Sequence, residues 1–372
     1  MEFVKPTFDV LSEKEWIYTN GLGGYASSSL SGANTRRYHG LLVASLNPPI
    51  NRMVLVSKVE ETVLVNDQTF EIGCSQYQNA INPKGYEFIS GFERFPFPKT
   101  TFQSKAFKLE KTVFMVYKSN TTVVAYKNLG KNNLVIRVNV FLNHRDYHGN
   151  FRENNHTNFY TEINDNVLKT YAFYGAKPLF TKHEGTFVSD PDWYKNYFYA
   201  KEEYRGLEPL EDNFKIGYIE LTIKPKETTN LIFTLDEAML QKDENELLSN
   251  ELALLKNLRS GNDSFLNDLL VAGNQFIVER QSTESHSIIA GYHWFTDWGR
   301  DSMIAMRGLC IDTENKTASE SILKTFLNYL NEGMLPNRFP DAPDDDLEYN
   351  TIDATLWLFV VLYEYYEKFK DE

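Results

Sequence analysis

Asn133-Leu-Val-Ile-Arg-Val-Asn-Val-Phe-Leu142 and Glu244-Asn-Glu-Leu-Leu-Ser-Asn-Glu-Leu-Ala-Leu-Leu-Lys-Asn-Leu258 carry two different periods, and the change between them decides the fold. In the first, Val135, Arg137 and Asn139 turn one way and Ile136, Val138 and Val140 the other, the two-residue alternation of a strand. Runs of the same kind, rich in Val, Leu and Tyr, cover Tyr38 to Leu46, Arg52 to Lys58, Thr62 to Asn66, Thr112 to Lys118 and Thr121 to Lys127. Val167 to Tyr174, Ile216 to Ile223 and Asn230 to Leu235 continue the series. Turn residues such as Asn66-Asp67, Ser119-Asn120 and Gly130-Lys-Asn-Asn133 separate them. Many short strands with turn punctuation predict an antiparallel β-sandwich over residues 1–240.

Near Glu237 the apolar spacing becomes helical. Residues 241–262 read as a charged, Leu-rich linker helix and 263–372 as a helical domain. Ser264 to Gln281 sets Phe265, Leu269 and Phe276 on one stripe, with Leu266, Leu270 and Ile277 beside it. Ser302 to Leu309 and Ala318 to Glu332 follow, the latter with Gly333 as a stop signal. The last helix starts near Ile352 and is apolar almost all round through Leu362, so it expects burial. Long polar loops, His286 to Thr296 and Asn331 to Tyr349, lie between the helices, and loops of that length are often functional. A length of 372 residues agrees with two domains.

Composition removes several classes of function. A net charge of −13 would repel a phosphate backbone, which disfavours nucleic acid as a partner. Cys74 and Cys310 are too few and too far apart for a disulfide framework or a metal cluster. The N-terminus has no basic segment followed by an apolar one, so no secretory signal is expected. The longest apolar run, Leu356 to Tyr363, is far short of a membrane span. A cytoplasmic location, no cofactor and no metal are the expectations. The 14% aromatic share serves core packing, but some rings can stack on the apolar faces of sugars.

Two constellations carry chemistry. Gly291-Tyr-His-Trp-Phe-Thr-Asp-Trp-Gly-Arg-Asp301 brings aromatics, two carboxylates and an arginine together just before a helix. Arg300 beside Asp301 can hold vicinal hydroxyls by charged hydrogen bonds, with Trp294 and Trp298 as apolar faces. The same residues also fit a capped helix start. Gly333-Met-Leu-Pro-Asn-Arg-Phe-Pro-Asp341 leads to Asp344-Asp-Asp346 and Tyr349-Asn-Thr-Ile-Asp353. The Asp344–Asp346 run matches no calcium-loop spacing and reads as a solvated acidic loop. Asp353 sits at a loop-to-helix junction and is either a helix cap or a general acid. A helix N-terminus favours the charged carboxylate, whereas a general acid has to arrive protonated, so burial or a second carboxylate would have to oppose the dipole.

Thr19-Asn-Gly-Leu-Gly-Gly-Tyr25 lacks dinucleotide spacing and predicts a loop with positive φ angles. Arg36, Arg37 and His39 either reach a site or brace the domain. His144, His148, His156, His183 and His286 show no ligand pairing and read as structural or exposed.

Taken in order, these segments resemble the bacterial and archaeal type of glycogen debranching enzyme, the amylo-α-1,6-glucosidase family. Glu15-Trp16 through Tyr25, Asn34 to Leu42, Lys58-Val-Glu-Glu61, Arg145-Asp-Tyr-His148 and Tyr204-Arg-Gly-Leu207 resemble its N-terminal domain. Trp294 to Asp301, Leu335 to Asp341 and Tyr349 to Trp357 resemble its catalytic domain. The resemblance implies an α+β multidomain chain, a β-sandwich followed by the first part of an (α/α)6 toroid. It implies hydrolysis of α-1,6-glucosidic branch points by an inverting mechanism. By motif position Asp353 resembles the general acid. Arg300 and Asp301 resemble a pair that grips sugar hydroxyls, with Asp297, Trp298, Trp294, Asn337, Arg338 and Asn350 completing the pocket. The general base of the family is a glutamate of the later toroid, and no residue here matches it.

The resemblance therefore implies a catalytic domain truncated within its toroid, with a complementary C-terminal part as a partner and an apolar last helix left without neighbours. The expected ligand is an α-glucan, whether glycogen, limit dextrin or maltooligosaccharide. The alternatives are an α-glucan-binding protein without catalysis and, more weakly, a glycoside phosphorylase.

Overall fold

The computed structural model describes residues 6–339 and 346–370. Its chain divides into two compact units, Met1–Tyr18, Tyr25–Ala44 and Met53–Ser249 in the first, and Thr19–Gly24, Ser45–Arg52 and Asn250–Glu372 in the second. Two short segments from the strand-rich half thus group with the helical half, which composition alone does not suggest.

The first unit is built on a 10-stranded and an 8-stranded sheet. Ile50–Val65, Leu134–Asp146, Leu210–Ile223 and Thr186–Phe198 are successive neighbours in the larger sheet. Leu134–Asp146 pairs antiparallel on both edges, with Ile136 opposite Val63 and Leu221. Its alternation is the one expected: Ile136, Val138 and Val140 are fully buried, while Arg137 is exposed. Thr121–Asn128 lies between Lys108–Met115 and Thr228–Thr234 in the smaller sheet. Two five-residue helices, α1 (Phe8–Ser12) and α2 (Ala200–Tyr204), complete the unit.

The runs expected at Arg52 to Lys58 and Thr62 to Asn66 are one strand, Ile50–Val65. The charges between them do not form a turn because each is buried and paired. Lys58 Nζ lies 2.9 Å from Glu60. The Tyr126 hydroxyl donates to Glu61 at 2.7 Å, and Lys111 approaches the same carboxylate at 2.6 Å.

Arg36, Arg37 and His39 brace this unit. Arg36 reaches Glu15 at 2.7 Å, and the His39 ring accepts the Thr35 N–H. Arg37 donates to the His148 carbonyl at 2.7 Å and pairs with the fully buried Glu202. Burial alone would push the Glu15 carboxyl up, but His39 and Arg36 overcome it and hold the group at about 2, below its ordinary 4.5. A carboxylate lowered on folding stabilises the protein fully above its ordinary value, and the contribution fades as pH falls towards 2. Glu15→Gln should therefore remove about 2 kcal/mol at pH 7, allowing for solvent screening at its exposed edge. Urea denaturation of both proteins at pH 7 and pH 3 checks this, the difference shrinking at the lower pH.

In the second unit four helices follow the linker helix α3 (Glu244–Leu258) among the described residues. They are α4 (Ser264–Asn274), α5 (Gly299–Met306), α6 (Lys316–Asn328) and α7 (Asp353–Phe369). Asp263 caps α4 by accepting the Leu266 N–H, and Asn315 caps α6 by accepting the Ala318 N–H. Met303, Met306, Ile322, Phe326, Leu335, Phe339, Leu358 and Val361 form the core between them.

Three boundaries differ from the sequence reading. The helix expected to run to Gln281 stops at Asn274, because Ile277–Arg280 pairs with Ser285–Ile288 as a hairpin, Ile277 opposite Ile288. The helix expected to reach Glu332 ends at Asn328, and Gly333, with φ +82°, sits in the turn closed by Asn331 and Met334. The helix expected to end at Leu309 passes at Arg307–Ile311 into a π-helical turn. Of α7, Ala354, Leu358, Val361 and Tyr365 are buried, but Ile352, Leu356, Phe359, Tyr363 and Tyr366 stand exposed along the other face. The full burial expected from its composition is not met by the described residues.

Candidate active site

The site is assembled within the second unit from three chain segments. The first, residues 291–301, is held from below by Arg52. This fully buried guanidinium donates to the carbonyls of His293 at 3.1 Å and Phe295 at 3.0 Å and lies over the Tyr292 ring. The second, residues 335–339, runs alongside. Gly299 N–H donates to the Asn337 carbonyl at 2.8 Å, and Trp298 bridges to Arg338. The third, residues 346–353, covers it, with Asn337 N–H donating to the Glu348 carbonyl at 2.7 Å and Thr355 Oγ1 accepting the Leu335 N–H at 2.9 Å.

Gly299 is the point of closest approach. A Cβ there would lie 2.5 Å from the Pro336 carbonyl oxygen, so one strand of backbone would have to move. Gly299→Ala should cost about 1–3 kcal/mol, the range for overpacking a filled site, read as a lower melting temperature.

This layering brings the starts of α5 and α7 together. Arg300 and Asp301 stand in the first turn of α5, and Asp353 is the first residue of α7. The Arg300 guanidinium bridges the two carboxylates, 3.3 Å from Asp353 Oδ2 and 3.5 Å from Asp301 Oδ2. All three side chains are about half exposed. Asp353 is not the helix cap. That position is Ile352, and Asp353 Oδ1 accepts only the following Ala354 N–H. Asp301 likewise caps nothing, since Trp298 occupies the cap of α5. Both carboxylates therefore face outward, beside one planar guanidinium, an arrangement suited to gripping vicinal hydroxyls.

The remaining expected site residues divide. Arg338 and Asn350 converge on Glu348, at 3.8 Å and 3.4 Å. Asn337 accepts from Thr351 at 3.5 Å in the same layer. Trp298 is half-buried with its ring edge-on to Phe295, and Trp294 is half-buried beside His293. Asp297 departs from the expectation. It is fully buried, both its oxygens are taken by Arg280 at 2.9 and 2.7 Å, and Ser287 donates to it at 2.7 Å. Burial pushes this carboxyl above its ordinary range, with Arg280 and Ser287 opposing the rise. Asp297 is thus an internal ion-pair partner that shapes the segment leading to Trp298, and a sugar would not reach it.

Sequence reasoning passed over Glu348, Arg280 and Arg52. Glu348 stands in the same loop as Asn350, so its motif neighbours were its only signal. Arg280 and Arg52 carry no local signal, because their partners lie 17 and more than 240 residues away.

Asp344 and Asp345, two of the three residues of the acidic run, lie outside the described residues, as do the first five of the N-terminus. Among the described residues no group of three or more His, Cys, Asp or Glu is placed to hold a metal ion, and no helix is long and apolar enough to cross a membrane.

The described residues thus give two antiparallel sheets followed by helices, with two carboxylates and an arginine at the starts of α5 and α7. The chain belongs to the glycogen debranching enzyme family. The family model described as glycogen debranching enzyme N terminal matches residues 14–230, and that described as amylo-alpha-1,6-glucosidase matches residues 271–372. Among solved structures, a kojibiose phosphorylase from human microbiome is similar over 95% of this chain and 54% of its own, at 12% identity and a TM-score of 0.51. A bacterial glucoamylase complexed with acarbose is similar over 96% of this chain and 56% of its own, at 12% identity and a TM-score of 0.42. The chain spans about half the length of these structures. No curated protein matches it. The first of these likenesses supports the fold, an antiparallel sandwich followed by the opening helices of an (α/α)6 toroid.

Proposed function

We propose that this chain supplies the sugar-gripping and proton-donating half of a glucosidase that hydrolyses α-1,6-linked glucose at branch points of glycogen or related α-glucans. The observation that carries the reading is Arg300, bridging Asp301 and Asp353 at the starts of α5 and α7. Sugar hydroxyls entering the site would take over the guanidinium and Asp301. Asp353, relieved of Arg300, would take up a proton from solvent and pass it to the departing glycosidic oxygen as the bond to the sugar breaks. Arg338 and Asn350, held by Glu348, would meet the next sugar, and Trp298 would offer an apolar face. Water attack in an inverting hydrolase needs a second carboxylate about 6.5–9.5 Å from the first. We assign that base to none of the described residues.

The test is glucose release from a limit dextrin by this protein. Release undiminished by Arg300→Ala would remove the gripping role. A second reading, an α-glucan-binding protein without catalysis, is favoured by the absence of an assignable base among the described residues. Calorimetry of the chain with maltooligosaccharides tests it, and no heat at millimolar ligand would reject it.

A further inference from the structure

Arg280 ends the hairpin strand Ile277–Arg280, and its side chain turns into the core behind the site, where it is buried. The hairpin is itself anchored, because Ile277 and Ile288, opposite one another, belong to the core of the second unit. A guanidinium on so fixed a base is a rigid post, with a planar face and donors in a set geometry. Arg280 uses both. Its edge donates to the two Asp297 oxygens at 2.9 and 2.7 Å, and its face lies over the Phe339 ring, 4.5 Å from the centroid.

Asp297 and Phe339 stand on the two segments that carry Arg300 and Arg338. Asp297 directly precedes Trp298, Phe339 directly follows Arg338, and Trp298 and Arg338 form an isolated antiparallel bridge. In an antiparallel pair the residue before one partner lies opposite the residue after the other, so Arg280 ties the rung next to that bridge. A single bridge sets the separation of two segments but not the angle between them. A second tie on the next rung sets the angle too. The outer sides of both tie points are closed. The Ser287 hydroxyl donates to Asp297 at 2.7 Å, and Phe326 and Tyr329 pack on Phe339 at ring distances of 4.9 and 5.2 Å. A hydrogen-bonded carboxylate has a direction, whereas an apolar pair would fill the same space without one.

We propose that Arg280 is a positioning residue of the sugar site: through Asp297 and Phe339 it sets the angle at which Arg300 and Arg338 are presented. The inference rests on the gripping role proposed for Arg300. A misplacement of about 1 Å in a site can cost roughly a hundredfold, so such a post has a functional effect apart from stability.

The double variant Arg280→Met, Asp297→Leu separates the two effects, since two apolar side chains leave no buried charge unpaired. Melting temperature and calorimetry with maltotriose are to be measured on it, on Arg280→Lys, on Arg300→Ala and on the unaltered protein. The double variant is expected to melt close to the unaltered protein and to bind maltotriose about ten- to a hundredfold more weakly, the loss of one or two hydrogen bonds to a charged group. Arg280→Lys keeps the charge beside Asp297 but not the flat face over Phe339, so its affinity should fall between the two. Unaltered affinity in a double variant that melts normally, beside an Arg300→Ala that has lost binding, overturns the positioning role and leaves the gripping reading standing. Should the double variant not fold, Arg280→Lys decides, and unaltered affinity there overturns the positioning role in the same way. If the unaltered protein gives no heat at millimolar maltotriose, or Arg300→Ala binds as tightly, the gripping reading fails and the positioning role with it.

Discussion

Glucose release from a limit dextrin is expected to fall about 10²- to 10⁴-fold when Asp353 becomes asparagine, the usual contribution of a positioned proton donor. The substitution keeps the size and one hydrogen-bond acceptor, so the Ala354 N–H and the start of α7 remain satisfied. What disappears is the proton. Binding of the dextrin should change little, because Arg300 and Asp301 still present their hydrogen bonds. The loss should therefore appear in kcat and leave KM nearly unchanged, the pattern of an interaction made only in the transition state. Arg300→Ala should behave differently, raising KM as well, since the guanidinium would hold hydroxyls in ground and transition states alike. A glucosyl fluoride substrate, whose leaving group needs little protonation, should restore much of the rate to Asp353→Asn and none to Arg300→Ala.

The second large effect lies behind the site. Arg280→Met should destabilise the second unit by about 3–5 kcal/mol, because it strands the Asp297 carboxylate in a place without water. Both oxygens of Asp297 accept from Arg280, and neither residue is exposed. Burial already raises this group above its ordinary value with the arginine present. Without it the folded state should hold the proton still more strongly than the unfolded chain does. Stability then falls as pH rises, so the deficit should be larger at pH 7 than at pH 4. The double variant Arg280→Met, Asp297→Leu should regain much of the loss, because two apolar side chains leave nothing unpaired. Chemical denaturation of the three variants at both pH values checks the sign and the size.

These two aspartates, Asp297 and Asp353, show what the sequence could and could not convey. Both belong to family-like motifs, and nothing in their spacing distinguishes them. Asp353 follows a loop and opens a helix, so its side chain stays at the surface. Asp297 is drawn inward by an arginine on a hairpin that the helical period of Ser264 to Gln281 conceals. The same cause explains the other departures. The runs at Arg52 to Lys58 and Thr62 to Asn66 read as separate strands, and the partners that keep the charged stretch between them in one strand, Lys111 and the buried Tyr126, lie far along the chain. Alternation in Leu134–Asp146, by contrast, is a local property, and it was legible. The composition of α7 signalled burial, and the exposed row from Ile352 to Tyr366 is where that signal goes unanswered among the described residues.

Proton NMR of the sugar released from a limit dextrin, in phosphate buffer and from the first minutes of digestion, tests the central claim most directly. An inverting hydrolase acting on an α-1,6 linkage, with Asp353 as its acid, gives β-glucose first, followed by slow equilibration to the α anomer. Release of glucose 1-phosphate, or of α-glucose ahead of β, would contradict the account.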